Sequence, residues 1–334
     1  MPERSTRKLA VDVVRRLRQA GHEALLAGGC VRDMLLGRRP TDYDVATSAT
    51  PEQVAALFRR VLMVGAKFGV AMVIDRGRRI EVSTFRSDVS YSDGRRPDAV
   101  RFVSAREDAS RRDFTINGMF LDPLTDEVVD YVGGQADLEA GVVRAIGDPD
   151  TRFREDYLRT LRAVRLAVRL GFDLEPATRA AIARHAGRIV EISGERVREE
   201  LEKMLSGPSG AEAVNLLADL GLLEAILPEL FAPPHRWRAA RERLAEVAPA
   251  GELLLSLGAL LCELSRDELA GIARRWGASN RMRDALTWLA EHLDDWRDLP
   301  DHRPAPLKRL MIHPAWPALL KLWKVRERRL TGSQ

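Results

Sequence analysis

The sequence predicts an α+β fold, with a mixed α/β N-terminal part built on a small antiparallel or mixed sheet and an all-helical remainder. Three observations lead there. Short apolar or alternating runs of strand type recur over the first ~140 residues, with helical patterns between them. Strand signals stop after about residue 150. From there helix follows helix, punctuated by Gly171, Gly187, Gly194, Gly207-Pro208, Gly221, Pro228 and Pro233-Pro234.

Taken in order, residues 6–20 read as an amphipathic helix and residues 23–28 as a strand running into a glycine turn. Residues 43–46, 61–65, 69–75 and 79–85 are strand-like, with Arg76-Gly77-Arg78 turning between the last two. The polar stretch from Asp88 to Asp98 holds Gly94 and Pro97 and reads as a loop. A weak boundary falls at 231–250, where two prolines precede an arginine-rich stretch. No repeat or low-complexity segment stands out.

The chain has 334 residues, enough for two or more compact units. No window approaches the ~20 apolar residues of a membrane span, so no membrane partner is expected. The N-terminus is charged from Arg4 through Lys8 without an apolar core, and a secretory signal is not expected. Cys30 and Cys262 are the two cysteines, too few for a disulfide framework or a cysteine-based zinc site. A reducing cytoplasm fits best. The net charge is +4, and arginine far outnumbers lysine. Arginine suits bidentate phosphate contact, although a GC-rich genome would enrich it equally. Composition therefore permits a nucleic-acid partner without requiring one.

Four segments could carry chemistry. In GGCVRDMLLGRRPTDYDVAT, residues 28–47, a strand ends in Gly28-Gly29 and a helix starts near Val31. Glycines let backbone N–H groups approach a phosphate, a helix N-terminus favours an anion, and Arg32 adds a charged fork; a plain tight turn is the simpler alternative. Next, alternation along a short strand puts Asp42 and Asp44 on one face. Two such carboxylates repel unless a cation lies between them. Magnesium takes oxygen ligands and bridges phosphates, and two ions can activate a hydroxyl and stabilise leaving pyrophosphate. A lone D-x-D is as often a solvated turn, but this one follows closely on a phosphate-type loop. Glu81, in RRIEVSTFR, could add a third carboxylate from a neighbouring strand, or be an exposed strand glutamate.

The third segment runs from Arg111 to Asn117. Asp113 either caps the following helix or contacts ribose hydroxyls with Arg112 on a triphosphate. The fourth runs from Glu155 to Arg165. Read as one helix, it carries an apolar stripe of Tyr157, Leu158, Leu161, Val164 and Val168, with Asp156 and Arg159 side by side nearly opposite. Such a pair is either a surface ion pair or a set of acceptors and donors suited to a base edge. Arg162 lies at the stripe's edge. Arg165 lies toward the apolar side and would need a partner if buried.

Together these segments resemble class II tRNA nucleotidyltransferases, the CCA-adding enzymes, and the related bacterial poly(A) polymerases of the polymerase-beta superfamily. The resemblance is dense over 25–205 and includes YSDGRRPD, YVGGQADLEAGVVRAIGDP and SGERVREELEKML. It implies a catalytic nucleotidyltransferase head over 1–140, a helical neck that recognises the base over 141–207, and an RNA-binding body and tail over 208–334. It implies that Asp42 and Asp44 bind metal, with Glu81 beside them. Gly29 and Arg32 match nucleotide contacts of the first motif, and Arg112 and Asp113 those of the second; Gly28 and Asn117, beside them in sequence, are further nucleotide-binding candidates. Asp156 and Arg159 match the pair that reads the incoming base by protein rather than template, and Arg162 and Arg165 match further nucleotide-contacting arginines. The implied substrates are CTP and ATP, the cofactor Mg2+, and the partner tRNA.

This sequence departs from the family pattern in places. Gly118 stands where alanine is expected, residues after about 235 show no assignable motif, and the chain ends sooner than many members. No histidine is followed directly by aspartate, so the appended metal phosphohydrolase of some relatives is not expected. The 88–98 loop disfavours a CC-only enzyme. VGAKFGVAMV lacks the basic pair expected of the poly(A) group, which favours tRNA. An A-adding enzyme or poly(A) polymerase of the same family stays open, as does a non-catalytic RNA-binding protein on a decayed scaffold. Basic side chains for RNA are available in Arg196, Arg198 and Lys203, in Arg236 to Arg243, and in Arg326, Arg328 and Arg329.

Overall fold

The computed structural model describes residues 2–65, 68–88, 100–297 and 304–331. It divides into two compact units, Met1–Asp156 with Phe172–Ala181, and Tyr157–Gly171 with Ile182–Gln334.

The first unit begins with α1 (Pro2–Gln19), β1 (Ala24–Ala27), α2 (Gly29–Leu35), β2 (Asp44–Thr47) and α3 (Pro51–Leu57). It continues through β3 (Val61–Gly65), β4 (Val70–Asp75), β5 (Arg78–Thr84), β6 (Arg86–Asp88), β7 (Val100–Phe102) and α4 (Ala105–Ser110). After a 3-10 turn at Thr115–Asn117 come β8 (Phe120–Leu121), β9 (Val128–Val129), α5 (Gly134–Ala140), β10 (Val142–Val143) and α6 (Pro149–Glu155). Seven strands form one mixed sheet in the order β3-β4-β5-β2-β1-β8-β9. Of its pairings only β2 with β5 is parallel. Arg76 and Gly77 close the β4–β5 hairpin at φ 45° and 80°, the left-handed pair that matches strand twist.

Burial follows the sequence periods. Ala10, Val13, Val14 and Leu17 form the fully buried stripe of α1, which packs on β1, β2 and β5. Leu25, Ala27, Ala46, Phe85 and Phe120 form a core cluster with Ala105 and Ala109 of α4. Phe85 and Phe120 meet edge to face at 5.9 Å. Capping boxes start α3 at Thr50 and α4 at Ser104.

The chain leaves this unit through α7 (Leu158–Leu170) and returns with β11 (Asp173–Leu174) and the start of α8 (Pro176–His185). The expectation that strands end by residue 150 is thus corrected. β11 pairs in parallel with β10, Val142 opposite Asp173 and Val143 opposite Leu174. Thr178 Oγ1 accepts from the Ala145 amide at 3.1 Å, and Arg144 pairs with Glu175 at 3.5 Å.

The second unit is helical throughout its described residues: α7, the end of α8, then α9 (Gly194–Leu205), α10 (Gly210–Asp219), α11 (Leu222–Ile226), α12 (Pro234–Val247), α13 (Leu253–Leu261), α14 (Arg266–Arg275), α15 (Asn280–Glu291), α16 (Pro304–Met311) and α17 (Trp316–Thr331). α7 packs on α9 and α10, and α17 on α12 and α13. The stretch 231–250 lies inside this unit. No helix among the described residues is long and apolar enough to cross a membrane. Cys30 and Cys262 are buried free thiols.

Candidate active site

Strand pairing brings the first three sequence segments to one end of the sheet. β1 runs antiparallel to β2, so Ala27, the last residue before the glycine pair, stands opposite Asp44. On its other side Ala27 pairs with Phe120, and the Gly28 amide donates to the Met119 carbonyl at 3.2 Å. On the far side of β2, Asp44 is in register with Glu81. Parallel neighbours lie ~4.8 Å apart and share side-chain direction, so the two carboxyl groups stand together.

Asp42 precedes the strand, which starts at Asp44; Asp42 is exposed, Tyr43 buried and Asp44 half-buried. Burial, the charge of Glu81 and that of Asp42 push the Asp44 carboxyl up to about 6, against the opposing pull of Arg112. A crowded oxygen-only donor set of this kind calls for a hard cation. No three His, Cys, Asp or Glu side chains among the described residues form a ready-made metal cage.

Gly28 takes φ 75°, and a Cβ there would stand 3.1 Å from Arg112 Nη1, so glycine keeps the arginine against the turn. α2 starts at Gly29, two residues before the expected Val31. Arg32 is buried, its Nη2 paired with Asp33 at 2.6 Å and its Nη1 donating to Asn117 Oδ1 at 2.6 Å. Asp113 does not cap the next turn, because Phe114 occupies that position. Its Oδ1 instead accepts from the Phe114 amide at 2.9 Å and from Asn117 Nδ2 at 3.3 Å. Asn117 therefore ties Arg32 to Asp113, one member from each of two distant motifs. Gly118 makes room for its surroundings: a methyl group there would lie 2.6 Å from Val132 Cγ2 and 3.0 Å from Ile146 Cδ1.

Asp108 was not among the sequence candidates. It is buried and holds both arginines of the second motif, Arg111 Nη2 at 2.7 Å and Arg112 Nη2 at 3.0 Å. Burial works against its charge, but Arg112 and Arg111 overcome it and keep the carboxyl below the usual range. The i,i+3 and i,i+4 spacing was the available signal. Arg112 also lies over the Phe120 ring, 4.9 Å from its centroid. Arg152 secures the backbone ahead of it, donating to the carbonyls of Ser110 at 2.7 Å and Arg111 at 3.0 Å.

The fourth segment is not one helix. α6 ends at Glu155, Asp156 is extended at φ −159° and ψ 105°, and α7 starts at Leu158. Asp156 and Arg159 thus do not lie on one helix, and Arg159 is buried. Arg162 is half-buried. Arg165 has the partner its position demanded, donating to the buried Glu200 at 2.6 Å.

Several arginines of the helical unit are committed to structure. Arg243 is buried, paired with Glu263 at 2.6 Å and bound to the Ala259 carbonyl at 3.0 Å. Arg236 pairs with Glu268 at 2.7 Å, and Arg326 with Asp294 at 3.0 Å.

A mixed sheet with paired carboxylates at its end, a glycine turn opening a helix, and arginines fixed alongside define a nucleotidyltransferase head. Comparison with known proteins agrees. Residues 24–144 match the poly A polymerase head domain, and residues 171–232 match the family described as the probable RNA and SrmB-binding site of polymerase A. The CCA-adding enzyme of Geobacillus kaustophilus is 42% identical over 289 residues, 86% of this chain and 70% of that protein. That of Geobacillus thermodenitrificans is 43% identical over 279 residues, 82% and 67%. A crystal structure of the Bacillus stearothermophilus CCA-adding enzyme in complex with CTP has a TM-score of 0.72 at 32% identity, covering 97% of this chain and 78% of that one. The Thermotoga maritima CCA-adding enzyme complexed with tRNA shares the fold, with a TM-score of 0.73 at 20% identity and coverage of 97% and 81%. The chain belongs to the CCA-adding enzyme family.

Proposed function

We propose that this protein adds C, C and A to the 3′ end of tRNA in the cytoplasm, drawing on CTP and ATP, releasing pyrophosphate and choosing each base with its own side chains. The observation that carries this reading is the register of Asp44 with Glu81 beside the glycine turn, in a chain so similar to CCA-adding enzymes. Asp42 and Asp44 hold the metal, with Mg2+ assigned from the all-oxygen donor set. When bound, magnesium activates the 3′ hydroxyl and offsets the charge leaving on pyrophosphate. Gly28 and Gly29 let the triphosphate approach the backbone, Arg32 and Arg112 face it, and Asp113 with Asn117 takes the ribose. Asp156 and Arg159 read the base, with Arg162 and Arg165 as further nucleotide contacts. Residues 1–140 act as the head, 141–207 as the neck, and 208–334 as the RNA-binding body and tail.

The test is incubation with tRNA lacking its 3′ end and labelled CTP or ATP. Two C and one A are expected. Addition of A alone to CC-ended tRNA would make it an A-adding enzyme, a long A tract a poly(A) polymerase, and no incorporation a binding protein.

The loop at 88–98 carries Arg95, Arg96 and Asp98 and lies, beyond Asp88, outside the described residues. We assign to this polar segment, close after the strand holding Glu81, the switch from C to A addition. Its deletion is expected to spare C addition and slow the terminal A at least roughly tenfold, a change of about 1.4 kcal/mol in the barrier. Equal loss of both steps, followed on sequencing gels, would make the loop purely structural.

A further inference from the structure

The second unit contains a cavity of about 480 Å3, of whose lining the proposed nucleotide contacts take only Arg165. Its basic lining is Arg165 and Arg169 of α7 and Lys203 of α9, joined by Ser209 ahead of α10, with Val168 and Met204 as apolar wall. We propose that this cavity binds one phosphate, with its ribose, from the backbone of the RNA. The proposal rests on the reading of the protein as an RNA nucleotidyltransferase and adds where and how the RNA body is held.

The charge favours an anion. Glu200 accepts from Arg165 at 2.6 Å and from Lys203 at 2.9 Å. One carboxylate shared by two cations leaves that group with a net positive charge, and Arg169 also lines the wall. Ser209, the N-cap of the ten-residue α10, lines the cavity, and its side chain makes no capping hydrogen bond.

The turn between α9 and α10 is held in place from behind. The buried Ser256 donates to the Leu205 carbonyl at 3.2 Å. Gly251, at φ 63°, approaches so closely that a Cβ would stand 3.3 Å from the Ser206 oxygen. A preformed site of this kind holds a ligand without first ordering a loop. A phosphodiester fits better than a free triphosphate, because it brings a single negative charge and a ribose to lie on Val168 and Met204. Contacts of this type position a nucleic acid without reading its bases, as service to many RNA sequences requires.

The test is the double variant Arg169→Gln, Lys203→Gln in the full chain. Both side chains are exposed, and glutamine retains their stems. Binding of tRNA lacking its CCA end is measured across a salt series, and CTP binding by equilibrium dialysis. RNA Kd is expected to rise roughly tenfold, and the log–log salt slope to shrink by ~0.7–0.9, the share of one phosphate contact. CTP affinity is expected to stay unchanged, and Arg169→Lys with Lys203→Arg to restore RNA binding. An unaltered RNA Kd and slope would overturn the proposal. So would a loss confined to CTP, which would mark a nucleotide site, or a failure of the charge-conserving pair to restore binding. Failure of the transfer reading shows separately, as no incorporation by the unmodified protein.

Discussion

Replacing Asp44 with asparagine is expected to abolish nucleotide transfer while raising the heat stability of the metal-free protein. Asp44 shares its end of the sheet with Glu81 and Asp42, and this crowding with burial pushes its carboxyl up to about 6. An aspartate whose folded pKa lies above its unfolded value favours folding at low pH. That contribution is lost as pH rises from about 4 through about 6. At neutral pH the ionised group costs stability, on the order of 2 kcal/mol, and asparagine removes the cost. The same change takes a ligand from the metal site, for a loss of transfer of about three orders of magnitude or more. Asp42→Ala and Asp44→Ala are expected to lose activity equally with the fold intact. Thermal melts with and without magnesium check this, together with single-turnover assays. Magnesium should raise the melting temperature of the natural protein and not that of Asp44→Asn. Near-normal turnover in any of these variants would remove the carboxylates from the reaction.

Replacing Asp108 with alanine is expected to damage both the fold and nucleotide binding. Its carboxylate accepts from Arg111, Arg112 and the Arg86 amide. Without it two mostly buried guanidinium groups lose their counter-charge, a loss of about 3–5 kcal/mol by analogy with broken buried pairs. Asp108→Asn keeps the shape and removes the charge. It is expected to stay folded in dilute buffer, with the KM for CTP and ATP raised roughly tenfold because Arg112 is no longer held beside Gly28, a loss of about 1.4 kcal/mol. A folded Asp108→Asn protein with unchanged KM would show that Phe120 and Asn117 suffice to place Arg112.

The sheet's long strands were legible because alternation survives in them: β3 occupies 61–65 as read, β4 starts one residue later than its reading, and β5 is shifted by one residue at both ends. The strands β8 to β11 escaped notice because two residues are too few to alternate. The break at Asp156 was hidden for a different reason. Leu158, Leu161 and Val164 keep helical phase right up to it, so periodicity alone extends the helix backwards. Asp42, Asp44 and the glycine pair could be read locally, and the pairing of Glu81 with Asp44 was accessible as a neighbouring strand. Asp108 looked like an ordinary polar helix residue, since burial of a carboxylate depends on where distant guanidinium groups come to rest. Likewise the position of Arg165 announced that a partner was needed, while its identity as Glu200, 35 residues on, depended on how α7 meets α9.

The return of the chain to its first unit bears on how such a protein can be inherited and recombined. A gene exchange that transplanted residues 1–156 alone would strand β10 without β11. It would also leave the Ala145 amide without its Thr178 acceptor and Arg144 without Glu175. One buried donor left unsatisfied costs about 1–3 kcal/mol, a sizeable part of what a domain of this size has to spare. The smallest block that travels intact therefore runs through Ala181 and carries α7 with it. The carboxylates of the sheet and the arginines of that helix are bound to pass between lineages as a single unit, and crossovers that survive should fall beyond residue 181.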